Sequence, residues 1–69
     1  MEYMTIVKAR PDYEQNTKVV MSLLPTGASK VQRALGLGYN AAMRLLETIE
    51  NDGLIRRDAV APFQFVKAK

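Results

Sequence analysis

Between Asp12 and Asp52 the apolar residues return every three or four positions, and after Gly53 that helical period gives way to an extended pattern. The first period predicts helices and the second predicts strands. Ahead of both, YMTIVKA at residues 3–9 mixes aromatic and β-branched residues over a strand's length and is closed by Pro11, which predicts a short N-terminal strand. A first helix is expected over 12–24, with Tyr13, Thr17, Val20 and Leu24 on one side and Val19 and Leu23 widening it. Asp12 and Gln15 have the spacing of a capping box, in which each side chain satisfies a backbone donor of the other.

Pro25, Thr26 and Gly27 interrupt the helical period. Ser29 with Gln32 repeats the capping-box spacing and opens a short second helix over 29–35, with Val31, Ala34 and Leu35 turned inward. In the LGLG that follows, Gly36 is suited to the left-handed conformation that ends a helix, Gly38 to immediate re-entry into the next, and Leu37 to filling the corner between them. A third helix is expected over 40–52, with Gly53 at its stop position. LIRRD (54–58) and PFQFVK (62–67) then read as two strands of a hairpin. The fold class is α+β, mainly α: a winged helix-turn-helix of three helices, a β-hairpin wing and a short N-terminal strand, in one domain over residues 1–69.

At about 100° per residue, Ala42, Leu45, Leu46 and Ile49 form the buried stripe of the third helix, while Asn40, Arg44, Glu47 and Asn51 share the opposite side. That polar set contains the groups that read base edges. Arg offers paired donors to guanine, Asn pairs both ways with adenine, and Glu accepts from the amino group of cytosine. Lys30 and Arg33 on the second helix, with Gln32 beside them, and Arg56 and Arg57 at the start of the wing are the candidates for holding the DNA backbone. Lys67 and Lys69 read as solubilising charges, Tyr39 as a core or corner residue, and Met43 as a packing filler.

Composition narrows the chemistry more than it identifies it. The chain has 69 residues with ten Lys and Arg against seven acids, a net charge of +3, so its lean toward polyanions is slight. Cysteine and histidine are both absent, which removes the thiol nucleophile, thiolate metal sites and the commonest general base. Glu47, Glu50 and Asp52 lie close in sequence, but Glu50 projects to a different side from Glu47, so an enzyme is not expected and neither is a cofactor or metal. The N-terminal MEYMTIVKAR has no signal-peptide pattern and no apolar stretch reaches spanning length, which predicts a cytoplasmic protein without membrane contact.

SKVQRALGLGYNAAMRLLETIENDGLI, residues 29–55, resembles the C-terminal gamma domain of the FtsK and SpoIIIE DNA translocases, most specifically in GYNAAMRLLE. The resemblance implies a winged helix that binds short G-rich polar signals in duplex DNA, orients a translocase and also touches the XerD recombinase. It implies base reading by Asn40, Arg44 and Glu47, which are outer-face residues on the helical spacing as well. Where the family often has arginine this chain has Ala34, Gly36 and Ala41, and each lost phosphate contact is expected to flatten the salt dependence by about one unit of slope. No G-x-x-x-x-G-K-[ST] motif is present, so the chain is not expected to be the motor; it resembles a free-standing gamma-like module of the kind a phage or mobile element would carry.

The expected function is therefore sequence-selective binding of double-stranded DNA, as a transcription regulator or site marker, with the third helix in the major groove and the wing on the backbone. The alternative is a winged-helix interaction module for a recombinase, a translocase or a second copy of itself, with the N-terminal strand as a pairing edge. A monomer or weak homodimer is expected.

Overall fold

The computed structural model describes residues 12–68. Its element order is α1 (Tyr13–Leu23), α2 (Ala28–Leu35), α3 (Tyr39–Asn51), β1 (Ile55–Arg57) and β2 (Phe65–Lys67). Three helices followed by an antiparallel two-stranded hairpin make a winged helix-turn-helix. The expected strand at 3–9 lies outside the described residues, as does Lys69.

The core is built on the apolar stripe of α3. Ala42, Leu45, Leu46 and Ile49 are all buried, and Val20 of α1, Ala28 and Val31 of α2, Ile55 of β1 and Phe65 of β2 close around them. Tyr13, Met21, Leu24, Leu35, Leu37 and Met43 pack against this cluster from its margins. Leu37 thus fills the corner of the turn, and Met43 packs, as the sequence predicts. Thr48, at the edge of this face, is buried as well, and its hydroxyl donates to the Arg44 carbonyl at 2.7 Å, which satisfies that donor.

Both glycine stops are used. Gly36 takes φ 65°, and the Gln32 carbonyl receives the N–H groups of Gly36 and Leu37, the latter at 3.0 Å. At the end of α3, Gly53 takes φ 82° and donates to Glu50 at 2.9 Å while Leu54 donates to Ile49, the paired bonds of a Schellman motif. Gly38, in contrast, has φ −71° and ψ 165°, an ordinary N-cap conformation that any residue adopts.

Neither capping box forms. Asp12 is already in the right-handed helical region, and its carboxylate accepts from the Asn16 side chain at 3.4 Å instead of from the backbone. Ser29 lies inside the first turn of α2, because the helix begins earlier, with Gly27 as its N-cap and the Val31 N–H donating to the Gly27 carbonyl. The cause is a long-range tie: Thr26 exchanges both backbone bonds with Phe65, at 3.0 and 2.6 Å, pinning the chain to the wing just before the helix starts. Two inward assignments also fail. Ala34 is exposed, because Val31, Ala28 and Leu35 already cover the core contact of this short helix. Tyr39, expected as a core or corner residue, is 57 % exposed, and the corner is filled by Leu37.

The wing strands are shorter than the alternating pattern. β1 pairs with β2 in the register Ile55 to Lys67, Arg56 to Val66 and Arg57 to Phe65. Through the Thr26 bridge, β2 has a neighbour on each side. Phe63 falls outside the strand, in the turn after Pro62, and is exposed.

Candidate nucleic-acid interface

The buried stripe of α3 fixes what its other side shows. Asn40, Arg44, Glu47 and Asn51 fall within an arc of roughly 60° on a 3.6-residue helix, and Asn40, Arg44 and Asn51 are exposed while Glu47 is half-buried. This row runs the full length of the helix. It combines paired donors, paired donor-acceptor amides and one carboxylate, the complement needed to distinguish base pairs in a major groove.

The cations expected on the backbone divide into separate groups. Lys30 and Arg33 are exposed on α2, and Gln32 is half-buried there. Arg56 and Arg57 are adjacent on β1 and therefore point to opposite faces of the sheet. Arg57 faces the side of its partner Phe65, with its guanidinium 5.0 Å from the centre of that ring and its Nε 3.9 Å from the Glu50 carboxylate. Arg56 lies on the other face, paired with Val66.

Lys30 and Arg57 meet across a cleft of about 460 Å³ between the first turns of α2 and α3 and the wing. Tyr39 and Met43 form its α3 wall, and Phe63 and Gln64 form its wing wall. Among the described residues no acidic side chain lines it. The sequence carries no signal for this cleft, since its walls come from stretches far apart in the chain. The exposed rings of Tyr39 and Phe63 line it contrary to the pattern of the sequence, in which the one signal for Phe63 is its place directly after Pro62.

Among the described residues, no group of three or more His, Cys, Asp or Glu side chains is placed to hold a metal ion, and no helix is long and apolar enough to cross a membrane.

A helix-turn-helix with a polar outer helix and a hairpin wing belongs to the winged-helix class of domains. Within that class the chain belongs to the FtsK gamma-domain family, whose model matches residues 8–61. The family is one of non-catalytic modules known for interaction with DNA. The chain is 46 % identical over 48 residues to "DNA translocase FtsK 2" of Ralstonia nicotianae, covering 70 % of this chain and 6 % of that protein. It is 40 % identical over 45 residues to "DNA translocase FtsK 2" of Neisseria meningitidis, covering 65 % and 4 %, and 44 % identical over 43 residues to "DNA translocase FtsK" of Agrobacterium fabrum, covering 62 % and 5 %. The chain thus spans only about a twentieth of the length of these relatives. No solved structure matches it.

Proposed function

We propose that this gamma domain binds double-stranded DNA with sequence preference, laying α3 in the major groove and the wing along the backbone. The observation that carries the reading is the polar row on α3, exposed at Asn40, Arg44 and Asn51 and half-buried at Glu47, opposite a buried stripe. In this reading Asn40, Arg44, Glu47 and Asn51 read base edges, while Lys30, Gln32, Arg33, Arg56 and Arg57 hold phosphates. The module acts as a site marker or regulator on cytoplasmic DNA, and a recombinase or translocase engages it there. It does no motor work itself.

The test is fluorescence anisotropy with labelled duplexes, one carrying a G-rich gamma-type site and one scrambled, at several salt concentrations. Four basic phosphate contacts give a slope of log K against log salt of roughly −3 to −4. Arg44→Ala is expected to lose about 1–3 kcal/mol on the preferred site, roughly 5- to 150-fold, and to narrow the gap to the scrambled duplex. Equal discrimination by Arg44→Ala and the parent would remove Arg44 from the base-reading set. Absence of binding to either duplex at low salt would turn the same face toward a protein partner.

A further inference from the structure

The wing ends in an apolar tip that the core does not use. Val60 is 92 % and Phe63 77 % exposed, with Ala59 and Pro62 exposed beside them. Large apolar side chains gathered on one projecting loop mark a surface that is covered in use. The loop is also held open by its own bonds: Asp58 N–H to the Gln64 carbonyl at 2.9 Å, Gln64 N–H to Ala61 at 2.8 Å, and Val60 N–H to the Asp58 carboxylate at 2.9 Å. It presents the tip in one shape, so little ordering is left for a partner to impose.

Charge and position select the partner. Phe63 borders the cleft whose charged lining residues among those described are Lys30 and Arg57, the latter sharing its charge with the Glu50 carboxylate at 3.9 Å, so the tip sits beside a recess that leans cationic through Lys30. The opposite wall is Tyr39 and Met43 in the first two turns of α3, the helix proposed above to enter the major groove. An apolar projection rimmed by cations beside a reading helix fits the neighbouring minor groove, where the floor and sugar edges accept apolar side chains and the flanking phosphates accept the cations.

We propose that Phe63, supported by Val60, is an apolar wedge that seats in the minor groove flanking the site read by α3 and favours a deformable pyrimidine–purine step there. This rests on the DNA-binding reading. Wedging opens a base step and bends the duplex, and flexible steps such as TA and CA open at the least cost. The contact releases no counterions, so it adds affinity without adding salt dependence.

The experiment compares the parent, Phe63→Ala, Phe63→Leu and Arg44→Ala on duplexes that share one core site and differ only in the flank, TA or CA steps against a stiff A-tract. Anisotropy reads affinity across salt, and energy transfer between end labels reads the bend. Both Phe63 substitutions are at an exposed position, so the fold is retained. Phe63→Ala is expected to weaken binding to the flexible flank roughly tenfold, to leave the salt slope unchanged, and to lose the bend and the flank preference. Phe63→Leu keeps most of each. Unchanged affinity and bend in Phe63→Ala, with discrimination still lost in Arg44→Ala, would overturn the wedge and leave base reading standing. No duplex binding by the parent would overturn both. Phe63-dependent binding to phosphatidylserine vesicles, or a Phe63-dependent dimer in sedimentation, with DNA affinity unaltered, would overturn the wedge in favour of those surfaces.

Discussion

The two N-cap glycines look interchangeable in sequence, and the structure makes them opposite. Gly27 caps α2 with φ −135° and ψ −179°, Gly38 caps α3 with φ −71° and ψ 165°, and neither helix has a side-chain cap. Serine suits both conformations. In each place it would supply a side-chain acceptor worth a few tenths of a kcal/mol over glycine, and it would reduce the freedom of the unfolded chain by about 0.4–1 kcal/mol. The difference is room. A Cβ at Gly38 meets nothing within 4 Å, whereas a Cβ at Gly27 stands 2.9 Å from the Phe63 carbonyl oxygen. Contact at ordinary separation needs the wing loop to retreat by about half an ångström. Neither side yields freely, because Thr26 is bonded twice to Phe65 and Phe63 lies between the Ala61–Gln64 turn bond and that same bridge.

Overpacking of this kind costs about 1–3 kcal/mol. Gly38→Ser is therefore expected to stabilise by about 0.5–1 kcal/mol, and Gly27→Ser to fall about 1–3 kcal/mol below it. Total stability for a chain of this length is only about 3–10 kcal/mol, so the gap is large. Urea unfolding followed by helical circular dichroism measures it: with a slope near 1 kcal/mol/M, the two midpoints should separate by about 1 M or more. The slopes themselves should agree. Coincident midpoints would refute the close approach of the wing to α2, and with it the cleft geometry. DNA affinity adds a second reading, since Gly27→Ser displaces the wing while leaving α3 intact.

Two further outcomes follow from other parts of the molecule. The Tyr13 hydroxyl donates to the Asp52 carboxylate at 2.8 Å, tying the start of α1 to the end of α3, and burial first and then this bond to Asp52 hold the phenol above its usual pKa of 10.0. A pKa raised on folding contributes stability that is complete below the unfolded value and lost as pH rises through the folded one; the parent should lose thermal stability above about pH 10, and Tyr13→Phe should lack that component of the loss while being slightly less stable at neutral pH. Ala41 is exposed in the first turn of α3, at the flank of the reading row, so Ala41→Arg should tighten duplex binding at low salt and steepen the salt slope by about one unit; an unchanged slope would place that flank away from the phosphates.

What the sequence made legible is what burial imposes locally. Ala42, Leu45, Leu46 and Ile49 repeat at the helical period because one side of α3 must leave water, and the row of Asn40, Arg44, Glu47 and Asn51 is defined by the same constraint. Gly36 and Gly53 were readable for a similar reason: a left-handed residue at a helix end leaves a mark at one position. The failures share a different cause. Ser29 has the spacing of a cap, but Thr26 is fastened to Phe65, thirty-nine positions away, and that bond rather than the local pattern decides where α2 begins. Tyr39 reads as a core or corner residue, but with Leu37 filling the corner its ring stays exposed on the first turn of α3, and Phe63 reads as a strand residue on the side of Phe65 until the turn after Pro62 is seen to release it.

The same distinction separates the two halves of the proposed interface. The proposed base-reading row belongs to one helix, so its geometry survives wherever that helix packs. The cleft belongs to α2, α3 and the wing together, and it is held by the Thr26–Phe65 bonds and by the absence of a side chain at Gly27. Adjacent arginines illustrate the consequence: Arg56 and Arg57 are equal in any charge count, yet strand alternation and the ring of Phe65 bring only Arg57 to the cleft wall. Specificity carried by α3 should therefore tolerate changes in the wing, while contacts made by the wing depend on how closely the loop is held to α2. A substitution that loosens that hold should lower affinity and flank preference together and leave the choice among core sequences unchanged.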